Sequence, residues 1–186
     1  AIGRAGTVLV LSQPNSQGAE NAGVHFTPPA EFVLWVTPRP AARIRLLAEG
    51  LSSWPAWSTI VTTKERPLEG LGDLELADAP MDVKQLDKQS GLSTLGETIS
   101  RVLDDHETNA ARVSVGFDVL SDLIRMFDLS TVFKFVHALN ARFDAVDALT
   151  HYYLDPDAQP ESTVNVFQEL FDLRIEASGP TFVSNP

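Results

Sequence analysis

Between Ala111 and Phe127 the chain changes periodicity within a few residues. Val113-Ser-Val-Gly-Phe117 reads as a short buried strand, it ends on Asp118, and an amphipathic helical segment follows from about Ser121 to Phe127. A strand passing straight into a helix is the unit of an open α/β sheet, and groups at the carboxyl end of a central strand face the ligand crevice. Asp118 is therefore the first candidate for a functional role.

Further segments repeat the alternation. Strands are expected at Thr7–Leu11, Glu31–Thr37, Ser58–Thr63, Ala148–Leu154 and Phe171–Ala177, with a short edge strand at Leu74–Asp78. Helices are expected at Ala41–Gly50, at Ser93–Asp105 with Ser93 as N-cap, at Thr131–Ala145 behind a Ser130 cap, and at Glu161–Glu169. Ser16–Pro29 is rich in Gly, Asn and Pro and reads as mainly loop. The expected fold class is α/β, a mainly parallel twisted sheet flanked by helices, with one domain over residues 1–178 and a C-terminal tail over 179–186.

Charge narrows the partners. The net charge is −11, with 25 acidic residues against 14 Lys and Arg, and no basic stripe of the kind nucleic acid requires. Acid excess with few lysines suits a chain kept soluble in high salt, a halophilic reading; the alternative is an ordinary acidic protein. There is no cysteine, which excludes disulfides and thiolate metal sites. No apolar run reaches the ~18 residues of a membrane span and the N-terminus carries no signal pattern, so the expected location is cytoplasmic, without membrane.

The order of elements resembles the RecA-like core of P-loop ATPases, and within it the KaiC-like proteins. Val113-Ser-Val-Gly-Phe-Asp118-Val-Leu-Ser-Asp-Leu-Ile124 is similar to that family's Walker B strand and turn, and the likeness continues through the helix from Thr131, the strand to His151 and Leu170-Phe171-Asp172. The pattern also resembles small haloarchaeal relatives of KaiC that lack an intact nucleotide motif. The resemblance implies an ATP site at the carboxyl edge of the sheet, and a tendency to oligomerise.

Two stretches oppose ATP chemistry. A phosphate loop needs glycines that bring backbone N–H groups to the phosphates, a Lys to neutralise them and a hydroxyl for Mg²⁺. The corresponding segment runs from Ser12 through Gln17 and Gly18 to Glu20. It has no glycine at its start and no Lys or Arg, and it contains Pro14 and the acidic Glu20. KaiC-like ATPases also resemble one another in a pair of glutamates just past the second core strand. Pro38-Arg39-Pro40 stands there instead, leaving no carboxylate as general base.

Asp118 then has two readings, a Mg²⁺ ligand through water, or a helix cap accepting N–H groups of Leu120 and Ser121; the missing loop favours the cap. His151 falls where related folds place a polar sensor of the γ-phosphate; the alternative is a histidine satisfied in place. His25, His106 and His137 have no metal-ligand spacing, and Asp155-Pro-Asp157 reads as a turn rather than a Ca²⁺ site. Trp54, Trp57, Tyr152, Tyr153 and Phe182 remain as candidate interface residues, with a satellite core cluster the alternative for the aromatics. The tail could pair with a neighbour's sheet edge or stay unstructured.

These residues lead to a non-catalytic RecA/KaiC-like domain, a pseudo-ATPase with a degenerate P-loop. It would hold no cofactor or metal and act by protein–protein interaction or self-association in regulation, signalling or assembly. The alternatives are an ATP- and Mg²⁺-binding or hydrolysing KaiC-like protein with an atypical phosphate loop, and, more weakly, a DNA-associated accessory protein.

Overall fold

The computed structural model describes residues 5–27, 32–106, 112–178 and 181–185. In chain order it runs β1 (Gly6–Leu11), α1 (Gln17–His25), β2 (Phe32–Val36), α2 (Pro40–Arg45) continued by a π-helical turn (Leu46–Gly50), β3 (Trp57–Thr62) and β4 (Met81–Gln85). It continues with α3 (Leu92–His106), β5 (Val113–Phe117), α4 (Leu120–Met126), α5 (Leu129–Asp144), β6 (Leu149–Leu154), α6 (Glu161–Gln168), β7 (Leu173–Ser178) and β8 (Thr181–Asn185). The strands form one sheet in the order β4-β3-β2-β5-β6-β1-β7-β8. All pairs are parallel except β7–β8. The expected α/β class is what the structure shows.

Alternation along the strands divides the core in two. Leu9, Leu34, Val115, Phe117 and Tyr152 face a cluster closed by Ile99 of α3, Leu123 of α4, Val136 and Phe143 of α5 and Phe167 of α6. Val8, Val10, Trp35, Ile60 and Tyr153 face the other side, under Ala19 and Ala22 of α1, Ile44 of α2 and Leu47 of the π turn.

Four expectations are corrected here. The expected loop Ser16–Pro29 contains α1, capped by Ser16, whose Oγ accepts the N–H of Ala19 at 3.2 Å. Its buried face is Gly18, Ala19, Ala22 and Gly23, so it carries no large apolar residues to register a helical period. The small face allows close approach, since a Cβ on Gly23 would stand 2.9 Å from Leu46 Cδ1. Leu74–Asp78 is a turn, not a strand; Leu74 and Leu76 pack on the core, and the edge strand is β4. The start of α5 is capped by Asp128, which accepts the N–H of Thr131 at 3.0 Å, rather than by Ser130. The expected tail holds β8, which pairs with β7 of its own sheet, Phe182 opposite Ala177. Glu31, given to the second strand, lies outside the described residues. Among the described residues no helix is long and apolar enough to cross a membrane.

Candidate functional site

The carboxyl ends of β1, β2, β5 and β6 meet where the sequence places Asp118. Its backbone N–H donates to Val36 O at 3.0 Å, which extends the β2–β5 pairing by one residue. By alternation Asp118 falls on the α1/α2 face, in line with Ser114 and Gly116.

Asp118 is not a helix cap. α4 has no side-chain cap. Instead Asp118 Oδ2 accepts Arg43 Nη2 at 2.5 Å, Arg43 Nε at 2.9 Å and Arg39 Nη2 at 3.1 Å. The Asp118 side chain is fully buried, that of Arg43 is 5% exposed and that of Arg39 is 24% exposed. Pro40 sits in the first turn of α2, where its lacking N–H costs nothing. That start sets Arg39 and Arg43 one helical turn apart, both able to reach the carboxylate. The segment that reads as a loss of glutamates thus supplies one guanidinium group, Arg39, and starts the helix that supplies the second, Arg43.

Aromatic rings surround Arg43. Its guanidinium carbon lies 4.4 Å from the ring centroid of Trp35 and 5.3 Å from that of Tyr153, so the charge meets two aromatic faces as well as the carboxylate. Trp35 fits only because its neighbour on β5 is a glycine: a Cβ on Gly116 would stand 2.2 Å from Trp35 Cε3. The ring also meets His151 edge-on at 5.0 Å.

His151 does not sit at a strand end. It lies inside β6, opposite Val8 of β1 and Gly116 of β5, with no exposure. Its Nδ1 is 2.8 Å from Tyr153 Oη, a hydrogen bond, while Nε2 is buried without a protein partner. Burial first, and the Arg43 charge second, push its pKa from 6.5 down to about 3. The same burial raises Tyr153.

Ser12, the first residue of the expected phosphate segment, is buried and donates its N–H to Leu154 O at 3.1 Å. Gln17 and Gly18 belong to the first turn of α1, together with Glu20. Gln13 Nε2 donates to Asp157 Oδ2 at 2.5 Å, and Asp155 Oδ1 accepts the N–H of Asp157 at 3.0 Å, the turn expected of Asp-Pro-Asp. A cavity of about 200 Å³ brings Ser12 and Asp118 together with Arg39, Tyr153 and Asp155; Gln17, Gly18 and His151 do not line it. No cluster of three or more potential metal ligands occurs among the described residues.

Trp54, Trp57, Tyr152 and Tyr153 do not form one surface. Tyr152 and Tyr153 are buried on opposite faces of the sheet, and Tyr152 Oη donates to Asn140 Oδ1 at 2.8 Å. Their reading as interface residues is thereby corrected. Trp54 and Trp57 are partly buried and pack against different core clusters, and Trp57 Nε1 donates to Asp82 Oδ1 at 3.3 Å. The side chain of Phe182 lies outside the described residues.

The residues missed from the sequence are Arg39, Arg43 and Trp35. Two signals pointed to them. A glycine inside an apolar strand marks close approach by a large neighbour. An arginine four residues after another, amid Ile44, Leu46 and Leu47, marks a cation carried on a buried helix face.

Fold and site together define an α/β domain of RecA/KaiC-like fold with a buried arginine–aspartate pair at the carboxyl end of β5. Among solved structures, a protein of Pyrococcus horikoshii OT3 studied as PH0250 is similar with a TM-score of 0.59 and 13% identity, over 97% of this chain and 85% of that one. The KaiC-like protein PH0186 of the same hyperthermophilic archaeon is similar with a TM-score of 0.54 and 15% identity, over 92% and 70%. At these identities the likeness is one of fold. The chain belongs to the family of unknown function DUF7504, whose model matches residues 5–177. No curated protein matches it.

Proposed function

We propose that this chain is a non-catalytic RecA/KaiC-like domain, a pseudo-ATPase that acts through contacts with protein partners or copies of itself in regulation, signalling or assembly. The observation that carries this reading is the engagement of Asp118. A carboxylate that organises Mg²⁺ must present its oxygens to the ion and its waters. Here Oδ2 accepts three N–H groups from Arg39 and Arg43, and the two guanidinium charges repel a divalent cation from the same spot.

Phosphate binding is opposed from the other side. Ser16 caps α1 with its own hydroxyl, and Glu20 places a negative charge in the first turn, where a triphosphate would require positive potential. At the end of β2 the group facing the cavity is the Arg39 cation, which cannot accept a proton from water. The donor set does not fit Mg·ATP, and Ser12–Gly18 is read as a degenerate phosphate loop. The charge of −11 supports a high-salt setting.

The test is a calorimetric titration with Mg·ATP at high salt. No saturable heat is expected; a micromolar Kd overturns the pseudo-ATPase reading. Light scattering over a concentration series, with affinity capture from the native host, addresses the interaction role. A strict monomer that captures nothing removes that role.

A further inference from the structure

A second cavity, of about 320 Å³, opens over the carboxyl ends of β2 and β3. It lies on the sheet face opposite Arg43, among Val36, Val61, Leu95 of α3 and Leu123 of α4. It shares only the Pro38 and Asp122 wall with the smaller cavity over Asp118. Its lining is mostly aliphatic, and its volume falls at the lower end of the roughly 300–1,000 Å³ range of small-molecule sites.

Charge at this cavity runs against the rest of the chain. In a protein of net charge −11, the lining residues include two cations, Lys88 and Arg125, and one carboxylate, Asp122. Lys88 pairs with Glu65 at 2.7 Å, and Arg125 pairs with Asp122. Both cationic side chains are well exposed, at 65% and 72%, so these pairs are held weakly and can exchange for another anion. The first turn of α3, which forms one wall, contains no acidic residue. Met126, 60% exposed beside Arg125, offers an adaptable apolar edge.

We infer that this cavity binds a compact small-molecule carboxylate, its apolar body between the β2 and β3 ends and α4, its anionic end beside Lys88 and Arg125. An aliphatic interior of this size admits an aryl or branched alkyl group. It does not admit a polyphosphate, whose several charges would lose water without a partner for each. The site does not depend on the fate of ATP at Asp118.

The test uses the full chain and two probes that differ in the sign of their polar end, 4-phenylbutyrate and 4-phenylbutylamine, titrated at moderate salt by calorimetry. Saturable binding of the acid at millimolar concentration or below is expected, with the amine roughly tenfold weaker or undetectable. The double substitution Lys88→Glu with Arg125→Glu changes two exposed positions, so the far-ultraviolet circular dichroism should stay unchanged while affinity for the acid falls about tenfold, as two rim charges warrant. Excess Mg·ATP should not displace the acid. Absence of saturation by the acid, equal affinity for acid and amine, unchanged affinity in the folded double variant, or displacement by Mg·ATP would each overturn the proposal.

Discussion

Under α3, α5 and α6 the sheet is covered by aliphatic and aromatic side chains whose few polar atoms are mostly paired locally, as Tyr152 is with Asn140. Under α1 and α2 it covers an arginine–aspartate pair, an imidazole and a phenol, all nine-tenths buried or more. The same strands build both faces, so the difference lies in alternate residues of single segments: Val115 and Phe117 on one side, Gly116 and Asp118 on the other. One face holds together by area removed from water. The other rests on the Asp118–Arg43 pair, while Asp118 Oδ1, Trp35 Nε1 and His151 Nε2 are buried without a protein partner, and a change that removes one member of the pair costs more than the contact was worth.

Separating that pair gives the largest expected effect. Arg43→Met leaves a fully buried carboxylate with only the partly exposed Arg39, and removes the cation from Trp35 and Tyr153. Loss of one member of a buried pair costs about 3–5 kcal/mol. Asp118→Ala strands Arg43 in the same way and should cost as much, well above the roughly 1 kcal/mol of a lost helix cap. Arg43→Met with Asp118→Leu removes both charges and should cost clearly less than the two single changes summed. Denaturant unfolding of the three variants measures this. Additive singles below about 1 kcal/mol would mean that the two faces do not differ in kind.

What could be read from the sequence follows the same division. Large apolar side chains at strand or helix spacing were legible, so β5, β6, α3 and α5 were expected within a residue or two of their observed limits. On the α1/α2 face the strands and α2 were legible, since the helix expected at Ala41–Gly50 is α2 with its π turn, but α1 was not. α1 buries Gly18, Ala19, Ala22 and Gly23, residues that carry no strong hydropathy signal, so its sequence reads as loop. Pro38-Arg39-Pro40 was legible as an absence of glutamate and as the lead into the helix at Ala41–Gly50, but nothing in it told that Arg39 and Arg43 are aimed at Asp118. That contact joins residues 75 apart in sequence, and no local pattern encodes it. β4 was missed for a different reason: it is a partly exposed edge strand, and the apolar Leu74 and Leu76 beside it drew the assignment.

Glycine substitution separates the faces more finely. Gly116→Ala would bring a Cβ to 2.2 Å from a Trp35 ring that is itself fixed beneath Arg43 and beside His151. The ring cannot swing aside without disturbing the ion pair, so a loss of about 3 kcal/mol is expected, at the upper end of overpacking effects. Gly96→Ala, on the α3 side, meets only Phe135 Cε2 at 3.3 Å, and Phe135 is partly buried. The gain of up to about 1 kcal/mol from replacing a helical glycine offsets that contact, and the change should be near neutral. Equal losses at both positions, by thermal unfolding, would erase the distinction.

Acid should reach the α1/α2 face through His151. The folded protein keeps His151 neutral down to about pH 3, whereas the unfolded chain takes up the proton near 6.5. Between these values the unfolded state binds more protons, so the stability linked to His151 is complete above about pH 6.5 and is lost as the pH falls toward 3. One such group accounts for roughly 2 kcal/mol between pH 7 and pH 5. His151→Gln removes the titration and should flatten this part of the stability curve, whatever it does to stability at pH 7. Thr150→Val is the control, because Thr150 is the preceding residue of β6, points to the other face and buries a hydroxyl with no protein partner. It should shift the whole curve by less than about 1 kcal/mol and leave its slope intact. If His151→Gln left the acid limb as steep as Thr150→Val does, the limb would belong to carboxylates elsewhere and not to the imidazole beneath Arg43.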